Sequence, residues 1–277
     1  MSSGWTKFHE AMRKDVGLLP KCVLVVEGPD DKNFVESLLD RRAPGAWQAQ
    51  WMIGVAGGKT NVAKILGHEP AWHGLVDRDE WTQSDMVAHQ AKFPGRLHIL
   101  SRFCVESYFV IPNELWLLLP PARQAQITGG REAFETVLLS EHDTWLRHGA
   151  LWHTINPLWA GLRSLGFKDE LLDMTNATKT DAQIEAKLDE WHRYLEPGTI
   201  MQAFRDALAA ARGVSIDEQL KMRIHGKKFF EMHINSELSR LLSRPSQSAE
   251  KTLAELGQGM IALPPDLVPV WNAIGLP

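Results

Sequence analysis

The 277-residue chain is 44% apolar and 23% charged, an ordinary globular composition with material for one large core or two modest ones. A formal net charge of −4 excludes a uniformly basic nucleic-acid coat but leaves room for a local basic groove. Cys22 and Cys104 lie in apolar, strand-like runs, so they read as buried hydrophobes in a reducing compartment rather than a disulfide framework. No apolar run reaches the length of a membrane span and residues 1–20 lack a signal-peptide core, so the expected location is cytoplasmic, without membrane contact.

Residues 5–19 predict a short amphipathic helix, with Trp5, Phe8, Met12 and Val16 spaced for one face. Val23 to Val26 form a continuous apolar run, the mark of a strand buried on both faces as in a parallel sheet. Gly28-Pro29 stops that strand, and an aspartate, Asp30 or Asp31, is set to cap the helix over 31–42. Glu27 thereby stands at the carboxyl end of a central strand, where open α/β sheets carry ligands. A second strand is expected over 47–55, a helix over 59–66, and further strands over 74–76 and 96–101. Beyond about residue 106 the periodicity is helical almost throughout, as in Ile184/Leu188/Trp191/Leu195, residues 201–212 and residues 229–242. The expectation is an α/β fold, a mainly parallel sheet core over 1–112, with a mostly helical region over 113–277 packed on it.

Acid ends two of the strands: Glu27 follows the first, and Asp77 with Asp79 follows the third. If those strands are neighbours, like charges converge and call for a cation; an oxygen-only donor set suits Mg²⁺ or Mn²⁺. The alternative is that Asp77 and Asp79 are turn and cap residues. Gly54 to Thr60 looks like a phosphate-cradling loop, but three residues rather than four separate Gly54 from Gly58, which argues against nucleotide hydrolysis. Its turn can still offer backbone N–H groups and Lys59 to a nucleic-acid phosphate. Six basic residues between Lys221 and Arg244, with Lys221, Arg223, Lys227 and Lys228 clustered, make a candidate phosphate-binding face or a solvated helix face. The histidines show no zinc spacing, and no nucleophile elbow, His-Glu-x-x-His or Cys-x-x-Cys occurs.

Val26-Glu27-Gly28 after one strand and Asp77-x-Asp79 after another resemble the TOPRIM core shared by topoisomerases, bacterial primases and OLD-family nucleases. A closer resemblance is to a bacterial TOPRIM-like effector family. Its ordered elements match Glu27-Gly28 with Asp31, Gly57-Gly58-Lys59, Asp77/Asp79, and Arg102 with Glu106 and Tyr108. The similarity covers residues 21–112, and His225-Gly226-Lys227 is similar to a late glycine-lysine element of that family. The resemblance implies a nuclease in which Glu27, Asp77 and Asp79 hold metal, with Asp31 and Glu106 as second-site carboxylates for a second ion. It further implies that Lys227 neutralises the scissile phosphate and that Arg102 faces nucleic acid. The competing roles are Asp31 as a helix cap, Glu106 as a partner of Arg102, and Lys227 as a solvated lysine. Some relatives act as phage-defence effectors beside an ATPase, so the resemblance implies a DNA or tRNA substrate and allows an ATPase partner and a homodimer. The other expectation, from a different class, is a non-catalytic nucleic-acid or ATPase-binding subunit with a degenerate core.

Overall fold

The computed structural model describes residues 4–16, 21–167, 171, 179–260 and 262–277. Its contacts divide the chain into two units, one of residues 1–141 and 220–277 and the other of residues 142–219. The expected boundary at residue 112 falls inside the first unit. The chain leaves that unit after Glu141 and returns to it at Leu220.

In the first unit, α1 (Gly4–Val16) precedes β1 (Cys22–Val26), α2 (Pro29–Arg42), the single turn α3 (Trp47–Gln50), β2 (Trp51–Val55) and α4 (Lys59–His68). Then come β3 (His73–Val76), α5 (Gln83–Gln90) and β4 (Leu97–Ile99). The expected strand over 47–55 is half helix: Ala43-Pro44-Gly45 ends α2, and the chain makes one more turn before extending at Trp51. That turn seats Trp47 in the core, where its indole N–H donates to Asp40 at 2.6 Å.

The sheet is wholly parallel, in the order β2-β1-β3-β4. On β1, Val23, Leu24, Val25 and Val26 are all fully buried, which is why its apolar run is continuous rather than alternating. Val23 and Val25 join a cluster with Met12 of α1, Val62, Ile65 and Leu66 of α4, and Met86 of α5. Period-two alternation turns Leu24 and Val26 to the other face, the side on which α2 buries Phe34, Val35, Leu38 and Leu39. Gly54 belongs on β2 because a Cβ there would run into the Met12 side chain. The first strand connection runs from β1 outward to β2 and the next crosses back over β1 to β3. The topological switch point therefore lies between the carboxyl ends of β1 and β3.

Past β4 the chain is helical, as the periodicity predicts. A 3₁₀ turn (Val105–Phe109) leads to α6 (Pro112–Leu118), α7 (Pro121–Gln124) and α8 (Gly130–Leu138). The second unit holds α9 (His142–Ser164), α10 (Asp181–Tyr194) and α11 (Pro197–Arg212). There α9 and α11 pack side by side, joined by the Arg212–Asp143 ion pair at 2.8 Å and by Arg147 lying 4.8 Å from the Phe204 ring. The helix α12 (Ile216–Met222) carries the chain back to the first unit. There α13 (Gly226–Phe229), a π-helical turn (Phe230–Ile234) and α14 (Asn235–Leu241) run on continuously, and α15 (Ala249–Gly259) and α16 (Val268–Ile274) follow. No helix among the described residues is long and apolar enough to cross a membrane.

Candidate metal centre

Because β1 and β3 are hydrogen-bonded neighbours, Glu27 and the Asp77/Asp79 pair do meet. The backbone N–H of Asp77 donates to Glu27 Oε1 at 2.8 Å across the switch point. Glu27 also accepts from the backbone N–H of Lys59, the first residue of α4. Its carbonyl takes the N–H groups of Gly57 and Gly58 at 2.8 and 3.0 Å. The amides expected to cradle a phosphate are thus already engaged by Glu27, and the turn does not present them outward. Positive φ at Gly57 and Gly58, +78° and +128°, lets the chain fold back this tightly.

Asp31 sits in the first turn of α2 rather than at its cap. Gly28 holds the cap position, and Asp31 Oδ2 accepts the Gly28 N–H at 2.7 Å. The capping alternative is therefore correct in kind but not in position, and it leaves Asp31 buried beside the strand ends. Asp79 has a φ of +49°, a left-handed backbone that aspartate tolerates better than most residues. Its N–H donates to the Phe103 carbonyl at 2.8 Å, and the Phe103 N–H donates in turn to the Lys221 carbonyl at 2.8 Å. This backbone lacing brings the basic segment after residue 220 alongside the Asp-x-Asp loop.

Electrostatics at this edge are dominated by burial. Glu27 is pushed up to about 7 by desolvation, which Lys59 opposes and Asp79 reinforces. Asp31 also rises to about 7, through desolvation, with the Gly28 N–H working against it and Glu27, Glu106 and Asp30 adding to it. Desolvation raises Asp77 well above the carboxylate range, and Asp31, Glu27, Asp79 and Glu106 push it the same way. Glu106 is 2% exposed and is raised by burial, with Cys104 and Lys227 acting in the opposite sense. Six carboxylates, Asp30 among them, thus feel one another across one edge of the sheet.

Two lysines answer that charge. Lys59 Nζ lies 2.6 Å from Asp79 Oδ2 and 4.0 Å from Glu27 Oε1. Lys227 Nζ lies 2.6 Å from Asp30 Oδ2 and 3.9 Å from Glu106 Oε1. Lys227 owes its position to Gly226, which packs so closely on the turn at 104–107 that a Cβ would overlap the Ser107 hydroxyl. Lys227 does stand in the first turn of α13 with its side chain 41% exposed, but it is paired with carboxylates rather than wholly solvated.

Other assignments change. Arg102 does not face nucleic acid, and it does not pair with Glu106. It is 1% exposed and fully engaged, bound by both Glu114 oxygens at 2.6 and 3.0 Å, both Asp266 oxygens at 2.9 and 3.1 Å, and the Ser107 carbonyl at 3.1 Å. Burial works against its charge, but those partners raise its pKa further. Arg102 ties three segments of the first unit together. Lys221, Arg223 and Lys228 remain partly exposed, and Lys228 pairs with Glu231 at 3.0 Å. Sequence reasoning missed Asp30, the partner of Lys227, and Trp81, whose ring centroid lies 4.3 Å from Lys59 Nζ. An aromatic residue two positions after the Asp-x-Asp was the available signal.

Asp77 Oδ1 decides whether this donor set fits a divalent cation. It is buried and has no hydrogen-bond partner among the described residues, although a buried carboxylate oxygen ordinarily finds one. With Glu27 and Asp79 it makes an oxygen-only set of the kind Mg²⁺ and Mn²⁺ prefer. As the side chains stand, no three acidic, histidine or cysteine residues among those described form a group able to hold one ion. Asp79 is instead turned toward Lys59. The chemistry fits, provided that Lys59 yields. Compared with models of known protein families and with curated proteins, the sequence matches none.

Proposed function

We propose that this chain is a Mg²⁺- or Mn²⁺-dependent nuclease with a TOPRIM-like core. One observation carries the reading: Glu27, Asp77 and Asp79 meet at the switch point of a parallel sheet, and Asp77 Oδ1 lies buried there without a hydrogen-bond partner among the described residues. Glu27, Asp77 and Asp79 would hold the ion, with Asp31 and Glu106 as carboxylates for a second. When bound, such ions activate a water and stabilise the leaving oxygen of a phosphodiester. Lys227, held between Asp30 and Glu106, would meet the charge of the scissile phosphate. The partly exposed Lys221, Arg223 and Lys228 would follow the backbone on either side. On the family resemblance, the proposal extends to a toxic effector of phage defence restrained by an ATPase partner.

The Lys59–Asp79 pair favours a second reading. An ammonium already seated on the Asp-x-Asp motif suits a degenerate core that binds nucleic acid or a partner without cutting. One experiment separates the two. Purified protein is incubated with plasmid, single-stranded DNA and total tRNA under Mg²⁺, Mn²⁺ or EDTA, beside a Glu27→Ala Asp77→Ala double variant. The nuclease reading expects metal-dependent cutting of at least one substrate, lost in the variant. Cutting retained by a well-folded double variant would sink the metal site. No cutting together with no measurable metal binding selects the binding-subunit reading.

A further inference from the structure

We propose that Lys59 is the site's own competitor for the divalent cation, and that Trp81 is the positioning residue that sets how strongly it competes. The inference rests on the reading that Glu27, Asp77 and Asp79 bind such an ion. Lys59 opens α4, where the helix dipole disfavours a cation and where acidic residues are preferred; the first turn of α4 has none. Its ammonium is nonetheless turned into the carboxylates, 2.6 Å from Asp79 and 4.0 Å from Glu27, with its side chain only 17% exposed. Those are two of the three proposed ligands. The third, Asp77, keeps an oxygen without a hydrogen-bond partner among the described residues. An ion taking all three carboxylates must therefore displace the ammonium.

A second interaction opposes that displacement. The Trp81 ring lies 4.3 Å from Lys59 Nζ, within cation–π range, and its own plane is set by a stacked His89 at 4.0 Å and 9°. His89 belongs to α5, so the indole is braced from an element that carries none of the proposed ligands. The lysine is clasped on one side by charge and on the other by an aromatic face. Once displaced, the same ammonium stands free at the site's edge, at hand for a substrate phosphate. Occupation by the ion and exposure of Lys59 become one event.

The test titrates Mn²⁺ calorimetrically into wild type, Lys59→Met, Lys59→Arg and Trp81→Leu, with melting scans to verify folding. Lys59→Met is expected to bind Mn²⁺ about tenfold more tightly or better, since a charge within about 4 Å of the ligands is removed. Trp81→Leu removes no charge, yet it is expected to bind about threefold more tightly because the lysine yields more easily. Lys59→Arg should stay close to wild type. Equal or weaker binding by Lys59→Met, with wild type binding, overturns the competition and leaves the metal reading standing. Tighter binding by Lys59→Met with Trp81→Leu unchanged overturns the role of Trp81. Absence of Mn²⁺ binding in every protein overturns the inference and the metal reading together. Should Lys59→Met not fold, Lys59→Gln and Trp81→Leu decide the matter.

Discussion

Glu27 and Asp77, fifty residues apart in sequence, are joined by a 2.8 Å hydrogen bond from the Asp77 backbone to the Glu27 carboxylate. The bond spans the point where the sheet changes its winding direction. It fixes Glu27 toward β3 while leaving the Asp77 side chain to face its acidic neighbours. One carboxylate is satisfied by backbone donors, and the other keeps an oxygen for which the described residues supply no hydrogen bond.

That asymmetry sets the first prediction. An acidic oxygen shielded from water without a donor costs stability, so Asp77→Asn should fold more stably than wild type in EDTA, by about 1–2 kcal/mol. For a chain of this size that is a rise of a few degrees in melting temperature. Mg²⁺ should raise the melting temperature of wild type and leave the variant unmoved. Equal stabilisation of both by Mg²⁺ would place the ion elsewhere.

Arg102 gives the second. Replacing it by Met keeps much of the bulk but strands the carboxylates of Glu114 and Asp266 and the Ser107 carbonyl. Urea unfolding should show a loss of about 3 kcal/mol. Arg102→Lys should recover little, because one ammonium does not span two carboxylates and a carbonyl. An unchanged urea midpoint with weakened nucleic-acid binding would return Arg102 to the substrate surface.

The third concerns the far side of the sheet from β1's outer neighbour. His98 on β4 is buried, stacked on His73 at 5.5 Å between ring centres and hydrogen-bonded to it at 3.3 Å. Desolvation, then the charge of His73, lowers His98 from 6.5 to about 4. The unfolded chain therefore takes up a proton near pH 6.5 that the folded chain refuses until about pH 4. Stability is lost as pH falls through that window, with a slope of up to about 1.4 kcal/mol per pH unit, and this group contributes no further change below it. His98→Gln should remove that loss, so the urea midpoint of the variant should rise relative to wild type as pH falls from 6.5 to 4, whatever slope the raised carboxylates add to both. A wild-type slope that the variant reproduces would remove His98 as its source.

Short-range chemistry made part of this protein legible. The unbroken apolar run of β1, the Gly28-Pro29 stop and the 3.6-residue periodicity of the later helices are all local signals, and each produced its element. The strand-terminal position of Glu27, Asp77 and Asp79 follows from the same signals, since a strand's end is set by the residues beside it. Trp47–Gln50 shows where the strand reading goes too far: Gln48, Ala49 and Gln50 favour helix, and the helical turn they make buries Trp47 and brings its indole to Asp40.

Adjacency was for the tertiary structure to decide. Only the order β2-β1-β3-β4 brings Glu27 against Asp77, because strand order depends on how helices cover the two faces, not on any one strand. The partners of Arg102 lie 12 and 164 residues away, and that of Lys227 lies 197 away; no spacing rule reaches so far. Lys59 looked outward to a phosphate in sequence and turns inward in the fold, where buried carboxylates attract it more strongly than the dipole of its own helix repels it. The sequence determined which chemical groups stand at the strand ends. Packing over long separations decided which of them meet, because desolvation and charge pairing act through distance in space and not along the chain.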